Sequence, residues 1–117
     1  MRSSDETQCF GDILENIGRI ERFVRGMSEE EFVQSEQTIF AVQYALLVVS
    51  EAAHRLGERA EAICPGAAWR EARGMGNWLR HGYDQIDLGI VWVTIKDDLP
   101  PLKGAVLAAL LRICEEA

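Results

Sequence analysis

At 117 residues with 48% apolar side chains, the chain is sized for one domain around one core, and its composition is far from that of a disordered chain. A formal net charge of −7 excludes a protein that coats nucleic acid with its whole surface, because phosphate binding draws on clustered Lys and Arg. No uninterrupted apolar run approaches the ~20 residues of a membrane helix, and "MRSSDETQCF" lacks the basic-then-apolar layout of a signal peptide. A cytoplasmic protein with no membrane partner is therefore expected.

Cys9, Cys64 and Cys114 are odd in number and widely spaced, with no CxxC pair and no histidine cluster beside them. They read as buried thiols, with neither a disulfide framework nor a zinc site, and no metal or cofactor is expected. Charge is uneven along the chain: Arg70, Arg73, Arg80 and His81 face a single acid, Glu71, between Trp69 and Tyr83. The result is an acidic body with one basic segment.

In chain order, Phe10, Ile13, Ile17, Ile20 and Val24 recur at intervals of three and four, which predicts a helix from about Asp5 to Arg25 with one apolar stripe. Gly26 supplies a stop, and Ser28 with Glu31 has the capping-box pattern that opens a short helix over Ser28–Gln34. From Ser35 to about Ala62 two stripes are present. Ile39, Val42, Leu46, Val49, Ala53 and Leu56 form one, and Phe40, Tyr44, Leu47 and Val48 the other. A helix apolar on two sides needs cover on both. The sequence thus predicts a core stripe and a stripe that meets a second subunit in a two-fold dimer, the alternative being a monomer whose other helices bury it.

Pro65 in "CPG" breaks the pattern, and a further helix is expected from about Ala67 to Arg80. Asp87 can cap a helix carrying Ile90, Val91, Val93 and Ile95, and "DDLPPLKGAV" can start the last helix with prolines in its first turn. Leu102, Val106, Ala109, Leu110 and Ile113 give that helix its apolar face. No alternating strand pattern or repeat occurs, so residues 1–117 form a single all-α domain of five or six helices.

One stretch departs from these rules: "GMGNWLRHGYDQID", residues 74–87. Gly74 and Gly76 fall inside an expected helix, where each costs about 1 kcal/mol relative to Ala, so close packing or a nearby ligand should offset them. Gly82 fits a helix C-cap, which places His81 at the helix C-terminus. Two readings of His81 are open here. An imidazolium at a helix C-terminus is stabilised by the dipole, by about 0.3–1 kcal/mol. Alternatively, His81 with Arg80 beside it is a workable set for metal-free RNA cleavage, the His moving a proton and an Arg holding the phosphate. Tyr83 likewise either covers the helix end or takes part in function. Trp69, Trp78 and Trp92 read as core or interface anchors, and His54 as a solvated residue on the polar side of the long helix.

The stretch "WREARGMGNWLRHGYDQIDLGIVWVTIKDDLPPLK", residues 69–103, resembles the HepT-like branch of the HEPN domains. "HGY", the following "ID…IVW" and "DLPPL" agree with it in order and spacing. This resemblance implies a five- to six-helix HEPN-type bundle forming a two-fold homodimer, encoded beside a minimal nucleotidyltransferase as toxin and antitoxin. It implies a metal-independent endoribonuclease whose motif is Arg, four to six residues, then His, with Tyr two residues later. Carried over, His81 is the catalytic histidine, Asn77 the polar residue after the motif Arg, and Tyr83 the tyrosine to which the nucleotidyltransferase attaches AMP. The Arg does not carry over: its position falls on Gly76. Arg80, about 40° away around the helix and one turn on, and Arg73, about 60° away on the preceding turn, are candidate stand-ins. A displaced arginine loses much of its effect, so impaired cleavage is implied. The rival expectation is a catalytically inactive helical dimer that binds the nucleotidyltransferase and is AMPylated on Tyr83.

Overall fold

The computed structural model describes residues 4–81 and 86–116. The periodic stripe predicted near the N-terminus produces α1 (Ser4–Phe23), which buries Cys9, Phe10, Ile13, Ile17 and Ile20 and leaves Glu15 and Arg22 in solvent. It ends two residues before the expected Arg25, and the turn that follows holds Gly26 at a φ of 77°, a left-handed value suited to glycine. The α2 helix (Glu29–Gln34) starts on the predicted capping box: Ser28 Oγ accepts the Glu31 N–H at 3.1 Å, and the Glu31 carboxylate accepts the Ser28 N–H at 2.8 Å.

The long helix expected up to Ala62 is two helices, α3 (Glu36–Leu56) and α4 (Glu58–Ile63). Between them Gly57 adopts a φ of 56°, and its N–H donates to the carbonyls of Ala53 and His54, which ends α3. Arg59 reinforces the stop with bonds to the Leu56 and Arg55 carbonyls at 3.1 and 2.7 Å. The apolar spacing continues through the break, since Leu56 and Ala60 are both buried, so periodicity alone could not show it.

Past α5 (Trp69–His81), Asp87 caps α6 (Leu88–Val93), its Oδ1 accepting the N–H groups of Gly89 and Ile90 at 2.9 and 3.3 Å. The expected separate last helix is instead continuous with α6 through a π-helical turn, Thr94–Asp98, into α7 (Leu99–Glu116). Leu99 N–H donates to the Thr94 carbonyl five residues back, and Pro100 and Pro101 have no N–H for the carbonyls that precede them. Among the described residues there are thus six helical rods and no strand.

The α3 helix is central, packing on α1 and α5, while α1 also packs on α7. Val42, Leu46 and Val49 of α3 meet Phe10, Ile13 and Ile17 of α1 in one fully buried core, where truncating one such side chain to Ala costs about 2–5 kcal/mol. By length and composition, with a mean hydropathy of 1.2, α3 is apolar enough to span a membrane, but its position is that of a core helix. The second α3 stripe is not covered: Phe40 and Tyr44 are 64% and 71% exposed, with Leu47 and Val48 half-buried. Cys9 and Cys64 are buried, and burial pushes both thiols above their ordinary pKa. Cys114 departs from the expectation of three buried thiols by lying exposed on the outer face of α7.

Candidate active site

The α5 helix carries the segment that the sequence singles out, and its amphipathic pattern fixes which way it faces. Trp69, Ala72, Met75, Gly76 and Leu79 are buried toward the bundle, whereas Arg70, Glu71, Gly74 and Asn77 are exposed. Trp69 anchors the first turn: its ring centroid is 6.1 Å from that of Phe10, and its Nε1–H donates to the buried Cys64 carbonyl at 2.8 Å. Trp92 packs on Phe32 at 5.4 Å beneath the Lys96 ammonium, and Trp78 is half-buried, so all three tryptophans contribute to packing as expected.

The two unexpected glycines have different surroundings. A Cβ at Gly74 would meet nothing within 4 Å, so packing among the described residues does not offset its cost. Gly76 is buried against α3, and its N–H donates to Ser50 Oγ at 2.9 Å. Ser50 Oγ in turn donates to the Arg73 carbonyl at 2.9 Å, and His54 Nε2 lies 3.0 Å from the same oxygen. A carbonyl can only accept, so Nε2 carries the proton. His54 is therefore exposed but not merely solvated. The sequence reading missed this contact and passed over Ser50, whose one signal was a hydroxyl within an apolar stripe.

Arg73 is committed to structure at its other end also. Its guanidinium grips both carboxylate oxygens of Glu61 and reaches the Gly57 carbonyl at 3.4 Å. That hydrogen bond holds the Glu61 carboxyl below the usual range and raises the guanidinium pKa further. Of the two candidate stand-ins for the motif arginine, Arg73 is thus already neutralised by a partner. His81 is the last residue of α5, five positions past Gly76, or about 7.5 Å along the axis. The side chains of Arg80 and His81, the C-cap expected at Gly82, and Tyr83 lie outside the described residues. Among the described residues no three His, Cys, Asp or Glu side chains cluster as a metal site.

Comparison with known proteins decides the family. The profile described as ribonuclease HepT-like matches residues 13–109, which includes all of α5 and the segment that follows it. The chain belongs to the HepT-like ribonuclease family. One relative, named as a ribonuclease HepT in Thermococcus cleftensis, is 38% identical over 93 residues, covering 80% of this chain and 84% of its own. Another, named as an RNase in Methanocaldococcus jannaschii, is 30% identical over 106 residues, covering 91% and 97%. A third, named as an RNase in Caldanaerobacter subterraneus, is 32% identical over 87 residues, covering 74% and 77%. No solved structure gave a match.

Proposed function

We propose that this chain is the HEPN toxin of a HEPN and nucleotidyltransferase toxin-antitoxin pair, a homodimeric, metal-independent endoribonuclease in the cytoplasm. The observation that carries the reading is the HepT-like match across α5, together with a histidine at the helix end and a tyrosine two residues later. In it, His81 transfers the proton at the 2′-hydroxyl or the leaving oxygen. Asn77, exposed on the outer side of α5, contributes a polar contact to the cleft. Because Arg73 is held by Glu61, Arg80 is the better stand-in for the arginine that position 76 lacks. Cleavage is correspondingly slow.

The exposed Phe40 and Tyr44 support the dimer, since a contiguous apolar stripe on a small chain reads as an interface. Phe40 also borders a groove of about 430 Å³ that runs from α2 to Ile86 and Leu88. The two-fold arrangement brings the α5 ends of both subunits to one cleft in this reading.

Gly76 specifically favours a second reading, in which the dimer has lost catalysis and serves as a docking partner AMPylated on Tyr83. Two measurements separate them: cleavage of RNA in EDTA by the chain and by His81→Ala, and intact mass after incubation with the nucleotidyltransferase and ATP. Slow cleavage that His81→Ala abolishes supports the first reading. An AMP adduct lost in Tyr83→Phe, with no cleavage, supports the second. Neither cleavage nor adduct defeats both.

A further inference from the structure

We infer that Ser50, assisted by His54, is a positioning residue that fixes the height and rotation of α5 and thereby the placement of the helix end bearing His81. The inference rests on the ribonuclease reading for its functional half alone.

Ser50 is fully buried in a stripe otherwise made of Val42, Ala45, Leu46, Val49 and Ala53. A buried hydroxyl is costly unless bonded, and in mid-helix its usual outlet is the carbonyl four residues back. Here its single proton goes to another helix, to the Arg73 carbonyl at 2.9 Å, and its lone pair accepts the Gly76 N–H at 2.9 Å. Apolar ridges alone tolerate small slides and rotations of one helix on another. Two directional bonds to points three residues apart on α5 restrain both at once. His54, one turn further along α3, adds its Nε2–H to the same Arg73 oxygen at 3.0 Å, so that carbonyl receives two donors from α3.

The clamped turn, residues 73–76, ends on the position where the motif arginine is missing, immediately before Asn77, Arg80 and His81. A reacting group must be held to a fraction of an ångström, and precision at a helix end depends on where the helix is pinned. Filling the stripe with another alanine would pack as well but would remove both Ser50 bonds to the 73–76 turn of α5.

The test compares the full chain with Ser50→Ala, Ser50→Thr and His54→Phe by residue-resolved amide hydrogen exchange and by RNA cleavage. Ser50→Ala is expected to speed exchange at residues 76–81 at least tenfold, with Ile13–Ile20 of α1 within twofold, and to lower kcat about tenfold with KM within twofold. Ser50→Thr, which keeps the hydroxyl, restores both, and the surface change His54→Phe gives a smaller effect of the same pattern, about threefold. Unchanged exchange at 76–81, equal acceleration in α1, or local loosening with kcat intact each overturns the assignment. If the unmodified chain cleaves no RNA, the ribonuclease reading falls, and the exchange pattern alone decides whether Ser50 pins the helix.

Discussion

The guanidinium of Arg73 lies along the carboxylate of Glu61, joining α5 to α4 through two N–H···O bonds. An arginine held this way on both nitrogens has little freedom to meet a phosphate. Arg73→Ala should therefore leave RNA cleavage within twofold of the unmodified chain once folding is matched, whereas Arg80→Ala should lower it more than tenfold. Initial rates on a single-stranded RNA check both, and the reverse order would make Arg73 the stand-in.

Glycine at 74 is costly and locally unnecessary, being exposed in mid-helix with open space where a Cβ would stand. Gly74→Ala should raise stability by about 1 kcal/mol through helix propensity and a less flexible unfolded chain. Thermal unfolding would register this as a rise of about 4 °C. A loss of cleavage alongside the gain would mean that bare backbone at 74 is used by RNA or by the second subunit.

Two carboxylates give the fold an acid limit. Hydrogen bonds from Arg59 and Arg55 hold the Asp5 carboxyl below its usual range, and the Arg73 hydrogen bond does the same for Glu61. Folded-state values that lie below the unfolded ones stabilise above about pH 4, and that contribution is lost as pH falls through the depressed values. Urea midpoints should thus drop between pH 5 and pH 3 and stay level from pH 6 to 7.5. Glu61→Gln should be the less stable protein at pH 7 yet lose less on acidification; an identical acid slope would contradict the assignment.

The uncovered stripe makes a separate prediction about assembly. Phe40→Glu with Tyr44→Glu places two charges on side chains already 64% and 71% exposed, so the protomer fold should persist. Light scattering should then report 13.1 kDa in place of twice that mass. A variant that stays at twice that mass would move the interface elsewhere, and a parent that itself reports 13.1 kDa would overturn the dimer.

Local chemistry was readable in the sequence wherever it acts over three or four residues. Ser28 with Glu31 forms the capping box that their spacing predicts, Asp87 caps α6 as expected, and the α1 stripe is buried residue for residue. The break at Gly57 was hidden because Leu56 and Ala60 keep helical spacing across it. Likewise, the π turn depends on how two prolines join helices that were read separately. The Ser50 contacts could not be read at all, since they bring together residues 23 and 26 apart along the chain. For the site itself, resemblance named His81, Tyr83 and the loss at 76, while the pairing of Arg73 with Glu61 needed the tertiary structure.

The measurement that tests the account most directly is single-turnover RNA cleavage in EDTA by the given chain, by Gly76→Arg and by Gly76→Arg with His81→Ala. All three are first checked for the parent mass and a cooperative thermal transition, because residue 76 is buried against α3. Restoring the arginine should raise the rate at least tenfold, and removing His81 should abolish it. Folded Gly76→Arg protein that cleaves no faster than the given chain, or cleavage that survives the loss of His81, would contradict the account.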